Sequence, residues 1–291
     1  MKMRSEEEMF ALILGTARED ERIRAVVMNG SRANRNIKKD CFQDYDIVYL
    51  VTDVRPFAKD RQWIHRFGEL MILQTPDDCH RFPYDYDSNR PFTYLMQFTD
   101  GNRIDLKLCP VSEFRDTKEP SVSLMDKDGI LPEFSDTEGK CYWIAPPAER
   151  EFLECCNNFW WLCPYVAKEL WRNGLPLAKA YLEEDIREEC FKMLGWYIGS
   201  LNNYEVGTGK KNKYIRSYLT HQEWTLLCRT YPDLKPDAIW ASLFCMCTLF
   251  REKALAVARY WDYEYPIRED RHVLNYIQHI HRLPRDAGEI F

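Results

Sequence analysis

Residues 23–51 read IRAVVMNGSRANRNIKKDCFQDYDIVYLV, and this stretch decides the fold. Two β-branched, apolar runs, Ile23 to Met28 and Tyr45 to Val51, read as buried strands. The first runs into Asn29-Gly30-Ser31, after which a helix is expected to start. Glycine lets a backbone approach a ligand closely, and a helix N-terminus turns free N–H groups toward phosphate oxygens. A glycine–serine pair by itself is equally an ordinary turn.

The second run carries Asp44 and Asp46 at its entrance, in QDYDIVYLV. Residues i and i+2 of a strand point to the same face, about 6.6–6.8 Å apart. Two carboxylates so placed share hard cations, and magnesium takes one or two carboxylates plus substrate phosphates. A solvated strand entrance produces the same D-x-D pattern. A third acid, Asp105, interrupts the alternating run RIDLKL, with Ile104, Leu106 and Leu108 on one face and Asp105 and Lys107 on the other. Brought to the same sheet end, the three acids would form a site for two metal ions about 3.5–4 Å apart, the spacing that clamps the attacking and leaving oxygens of an in-line displacement.

Outward from this stretch, Glu6 to Ala17 shows helical spacing. Arg61 to Phe67 reads as helix, Leu70 to Thr75 as strand and Pro76 to Pro91 as loop. TYLMQFTDGNRIDLKLCP reads as a hairpin turning at Asp100-Gly101. Residues 111–145 read as irregular, punctuated by prolines. From Glu149 the pattern is helical. Glu149 to Trp171 carries an expected break or kink at Pro164, and Pro176 to Leu201 opens on a proline suited to a first turn. Thr220 and Glu223 have capping-box spacing, and Asp237 to Tyr260 and Ile267 to Leu283 complete the array. The fold class predicted is α+β: a mixed β-sheet domain flanked by helices over residues 1–145, then an all-α domain over 146–291.

The chain has 291 residues, 45% of them hydrophobic and 30% charged. No apolar stretch approaches the roughly 20 residues of a membrane span. The charged Met1 to Glu8 segment predicts no secretory signal. Eleven cysteines, several in apolar helical context, read as buried thiols of a reducing cytoplasm. The formal net charge of −6 disfavours a nucleic-acid partner, which calls for a basic stripe, and suits a cationic small substrate.

The order strand, glycine–serine, helix, D-x-D strand, single aspartate on a later strand resembles the polymerase-β-like nucleotidyltransferase superfamily. VMNGSRAN, DCFQDYDIVYLV, FTDGNRIDLKL, NNFWWLCPYVAKELWR and GKKNKYIRSYL resemble, more closely, the aminoglycoside 6-adenylyltransferases, over nearly the whole chain. The resemblance implies magnesium-dependent transfer of AMP from ATP to a hydroxyl of streptomycin, position 6 following from the family name, with release of pyrophosphate and antibiotic resistance. By the same resemblance Gly30 and Ser31 would hold the triphosphate. Asp44 and Asp46 would ligate magnesium, as two ions. Asp105 would complete the metal site and take the proton of the attacking hydroxyl, unless the base lies in the helical half.

Around this set, Arg32 reads either as a phosphate contact or as a solvated first-turn residue. Lys210, Lys211 and Lys213 lie in a glycine-flanked basic loop. The resemblance implies that Lys210 or Lys213 offsets charge on the leaving pyrophosphate. Streptomycin carries guanidinium groups, which pair with carboxylates and stack on aromatic faces. Glu154, Asn158, Trp161 and Tyr165 share one helical face and so form a candidate acceptor surface. YLEEDIREE adds Glu183, Glu184, Asp185, Glu188 and Glu189, of which Asp185 is the expected contact; a solvated helix face explains most of that run. Two other readings keep part of the pattern. One is a nucleotidyltransferase for another small hydroxyl compound or a protein side chain, and the other is a regulator that holds nucleotide without turnover.

Overall fold

The structure is a computed structural model that describes residues 2–115, 119–134 and 140–291, without the side chain of Cys141. The chain divides into two compact units, Met1–Cys141 and Tyr142–Phe291; the sequence places the division a few residues later, after residue 145. The first unit carries a mixed sheet and the second is helical, the α+β class expected.

The first unit is a six-stranded sheet. Its strands are β1 (Ile23–Asn29), β2 (Tyr45–Val51), β3 (Leu70–Gln74), β4 (Phe92–Phe98), β5 (Arg103–Pro110) and β6 (Ser121–Asp126), in the spatial order β3-β4-β5-β2-β1-β6. Only β2 and β5 run parallel; the other neighbours are antiparallel. β2 is central and apolar on both faces, which explains its unbroken Ile47 to Val51 run. On one face Val26, Ile47, Tyr49, Leu106 and Leu108 pack under helix α1 (Glu6–Glu19), whose Met9 and Ile13 are fully buried. The buried Tyr49 hydroxyl donates to the Ile13 carbonyl at 2.6 Å, tying α1 to the sheet. A smaller cluster, Ala25, Val27, Val48, Leu50 and Cys109, covers the other face beneath Phe114, Leu131 and Phe134. A reciprocal Ser5–Glu8 capping box starts α1.

Three local features differ from expectation. β6 falls in the segment that reads as irregular; it pairs with β1 along Ala25–Asn29. After Gly30 the chain makes one 3-10 turn (Gly30–Arg32) rather than a helix. Arg61–Phe67, after the short helix α2 (Arg55–Lys59), is also 3-10, with Trp63, Ile64 and Phe67 turned inward.

The second unit stacks α3 (Glu149–Trp171), α4 (Leu175–Ala180), α5 (Arg187–Leu201), α6 (His221–Cys228), α7 (Pro236–Trp261) and α8 (Ile267–Arg282). α3 continues as one helix through Pro164, where a break or kink is expected, so the helix is not broken there. The segment that reads as a helix from Pro176 is instead α4 joined to α5 by a π-helical turn, Tyr181–Ile186. The Thr220–Glu223 capping box forms at the start of α6.

Two buried polar networks pin the array. Asp270 of α8, fully buried, pairs with Arg251 of α7 and accepts from Tyr265 at 2.7 Å; Tyr265 in turn accepts from Trp160 of α3 at 3.2 Å. Lys253 of α7 pairs with Glu223 of α6, which also accepts from Tyr197 of α5 at 2.8 Å. Among the described residues no helix is long and apolar enough to cross a membrane.

Candidate active site

Register brings the three acids together. Asp46 of β2 stands opposite Asn29 of β1 on one side and Asp105 of β5 on the other. Asp44 lies just ahead of β2. All three half-buried carboxylates therefore sit at one end of three neighbouring strands, where β1 hands over to Gly30 and Ser31. Asp46 shares its face with Val48 and Leu50, the side of the sheet carrying the smaller apolar cluster.

Gly30 is required at this corner. Its φ is +75°, and an added Cβ would stand 3.1 Å from Asp46 Cγ and closer still to Oδ2. The turn is anchored by the Gly30 amide donating to the Pro120 carbonyl at 3.1 Å and by the Gly30 carbonyl accepting from Ala33 and Asn34, each at 3.2 Å. Ser31 is half-buried directly after it.

The electrostatics are those of crowded acids. The Asp46 carboxyl is pushed up to about 6, first by burial and then by the charges of Asp105, Asp44 and Glu119. Burial also raises Asp44, against the pull of Arg103. Sequence reasoning misses three participants here. Glu119, exposed before β6, adds a fourth negative charge. Arg103 donates to Asp105 through Nε at 2.7 Å and through Nη2 at 2.9 Å, and its Nε lies 3.6 Å from Asp44. Gln43 donates to the Ser31 carbonyl at 3.4 Å and leaves its buried Oε1 without a partner. The places of Glu119 and Gln43 depend on strand and turn geometry that no local motif encodes. Arg103 is two residues from Asp105 on the same strand face, and that spacing is readable.

Arg32 is anchored at the entrance of β2 by contacts with its own chain. Its Nε donates to the carbonyls of Gln43 and Asp44 at 3.2 and 3.1 Å, and Nη2 to Gln43 at 2.9 Å. The guanidinium lies 3.9 Å from the centre of the Tyr45 ring, and Nη1 is 3.5 Å from Glu6. It holds the entrance of β2, and hence Asp44 and Asp46, in place.

The donor set suits a hard divalent cation: all-carboxylate oxygens, with Asp46 partly buried among like charges that a cation would relieve. Among the described residues no three His, Cys, Asp or Glu side chains already converge as a metal cage. At this corner Asp105 is held by Arg103 instead.

The remaining sequence candidates belong to the second unit. Glu154, Asn158 and Trp161 are exposed on one face of α3, with Tyr165 half-buried further along it. Glu154 is bonded by Arg150 at 2.8 Å, and Asn158 donates to Glu189 of α5 at 3.0 Å. The other oxygen of Glu189, Oε2, is buried without a hydrogen-bond partner. Trp161 is 66% exposed, whereas Trp160 and Trp196 are buried. Asp185 is exposed within the π-helical turn, while Glu183 is tied to Arg187 at 2.9 Å. Lys210 and Lys213 are exposed on a tight turn in which Tyr214 donates to the Thr208 carbonyl at 2.9 Å.

The profile of the streptomycin adenylyltransferase family matches residues 3–280. An aminoglycoside 6-adenylyltransferase of Bacillus subtilis (strain 168) is 41% identical over 91% of this chain and 94% of its own length. One of Staphylococcus aureus is 34% identical over 95% of this chain and 98% of its own length. A crystal structure of an aminoglycoside 6-adenyltransferase from Bacillus subtilis is 36% identical, covers 97% of this chain and 100% of that one, and superposes with a TM-score of 0.49. A family profile and relatives that match the chain nearly end to end lead to one conclusion: this chain belongs to the streptomycin adenylyltransferase family of enzymes.

Proposed function

We propose that the protein transfers AMP from ATP to the 6-hydroxyl of streptomycin, releasing pyrophosphate and conferring resistance. The observation that carries this reading is the register that sets Asp46 beside Asp105 and next to the Gly30 turn. In the reaction a bond forms between the acceptor oxygen and the α-phosphorus. The bond from that phosphorus to the oxygen bridging toward the β-phosphate breaks, and pyrophosphate leaves with that oxygen.

Asp44, Asp46 and Asp105 would hold magnesium, as two ions. A cation held by these carboxylates would supply positive charge against the phosphates and the attacking oxygen. Gly30 and Ser31 present backbone and hydroxyl to the triphosphate, and Arg32 keeps the carboxylates positioned. Asp105 is the group proposed to receive the hydroxyl proton. Lys210 and Lys213 are proposed to offset charge on the departing pyrophosphate.

The acceptor is cationic, and the exposed Glu154, Asn158, Trp161 and Asp185 supply the matching chemistry: carboxylates for guanidinium pairing and an indole face for stacking. ATP and magnesium are both at hand in the cytoplasm, where the same reading places the enzyme.

The test is pyrophosphate release from ATP and magnesium across a panel of aminoglycosides. Release dependent on streptomycin supports the assignment. Release with a different hydroxyl compound alone keeps the chemistry and replaces the acceptor.

A further inference from the structure

Arg103 and Asp105 stand two residues apart on β5, so both side chains leave the same face of the sheet. The guanidinium meets the carboxylate as a fork, with Nε and Nη2 each taking one oxygen at 2.7 and 2.9 Å. The same Nε faces Asp44 at 3.6 Å. Arg103 therefore already pairs with one of the three acids to which the proposed function assigns metal ions, and faces a second. A carboxylate with both oxygens engaged by a guanidinium fork is poorly free to ligate a cation. Arg103 is about two-fifths exposed, its side chain showing 38% of its surface, so it has room to leave.

We infer that Arg103 is a built-in counter-ion that occupies Asp105 in the metal-free protein and exchanges with a divalent cation when the site loads. This rests on the reading of the acidic corner as the cation site. Arg103 is thus a positioning residue: it keeps Asp105 from being repelled out of the corner, and it sets the affinity threshold for loading. Displacing it trades one bidentate ion pair for metal ligation, and so weakens metal binding relative to a chain without the arginine.

The experiment measures Mn2+ binding without nucleotide, by the electron-paramagnetic-resonance signal of free Mn2+, in wild type, Arg103→Gln and Arg103→Lys. Thermal melts in EDTA and in Mn2+ accompany it. Arg103→Gln should bind Mn2+ about tenfold more tightly. It should melt lower than wild type in EDTA and gain more from Mn2+. Arg103→Lys, which keeps the charge and loses the fork, should fall between. Lys107→Gln is the control for bulk charge, since Lys107 is exposed on the same strand face. An equal gain in Lys107→Gln, or unchanged or weaker Mn2+ binding in Arg103→Gln, overturns the exchange while leaving the cation site intact. Failure of wild type and every variant to bind Mn2+ overturns the cation-site reading itself.

If Arg103→Gln does not fold, the wild-type Arg103 Nε–H resonance, assigned with Arg103→Lys, gives the answer. It should shift or broaden as Mg2+ is added, and a resonance unmoved at saturating Mg2+ contradicts the exchange.

Discussion

Gly30 packs its bare Cα against the Asp46 carboxylate, so closely that a Cβ would overlap Oδ2. The φ of +75° at this position adds a second demand for glycine. Gly30→Ala is therefore expected to displace Asp46 and to strain the turn. Its stability cost should be about 1–2 kcal/mol, and its turnover should fall by about a hundredfold or more. Denaturant unfolding and kcat measured together check this. A variant with wild-type kcat contradicts the placement of Asp46 at the reacting centre.

Asp46 makes the metal-free protein sensitive to pH. Its carboxyl titrates at about 6 when folded and at about 3.9 when unfolded. The folded state therefore binds a proton more readily, and this group favours folding most fully below about pH 4. That contribution is lost as pH rises through about 6. Asp46→Asn removes the penalty, so in EDTA at pH 8 it should be more stable than wild type by about 1–2 kcal/mol. The difference should vanish near pH 4. Melting curves across this range test it, and a variant less stable than wild type at pH 8 goes against it.

Much of the corner is legible in the sequence. Asp44 and Asp46 stand out because strand spacing of two sets both on one face, and Asp105 because it interrupts an alternating run. β1 and β2 announce themselves as β-branched apolar runs, and the β4–β5 hairpin as two strand-like segments around the Asp100-Gly101 turn. The strand β6 does not, because SVSLMD is short and half polar; its pairing with β1, rather than its own composition, makes it a strand. The helix expected after Ser31 gives way to a single 3-10 turn, since the polar stretch to Gln43 has no apolar stripe to bury. Arg32 reads as a phosphate contact or a solvated first-turn residue; its bonds to two carbonyls eleven and twelve residues onward, which leave it little solvated, are not readable from its neighbours. Contacts set by strand register are invisible in a linear reading.

Trp161 is the exposed aromatic of the α3 stripe, at 66% exposure. Trp161→Ala should leave stability within about 0.5 kcal/mol. It should raise KM for the aminoglycoside about five- to thirtyfold through lost cation–π contact, with KM for ATP little changed. Steady-state kinetics with each substrate varied in turn decide this. An equal rise in both KM values argues against an acceptor role.

Glu223 carries the opposite pH signature. Burial alone would raise its carboxyl, but hydrogen bonds from Lys253, Thr220 and Tyr197 bring it down to about 2. Its contribution is present above the unfolded value near 4.5 and disappears as pH falls through about 2. Glu223→Gln leaves Lys253, only 5% exposed, buried without its charge partner. The expected loss at pH 7 is about 3 kcal/mol, shrinking toward pH 2. Chemical denaturation at pH 7 and pH 3 checks both size and trend; a loss that stays constant across that range contradicts the pairing as the source.

The most direct measurement follows ATP labelled at the α-phosphate, with magnesium and streptomycin, in wild type and Asp46→Asn. Wild type should move the label onto streptomycin, giving a product heavier by one AMP unit. Asp46→Asn, folded by circular dichroism, should lose at least about a thousandfold in rate. Label transfer at an undiminished rate in Asp46→Asn would contradict the assignment of this corner as the site of AMP transfer.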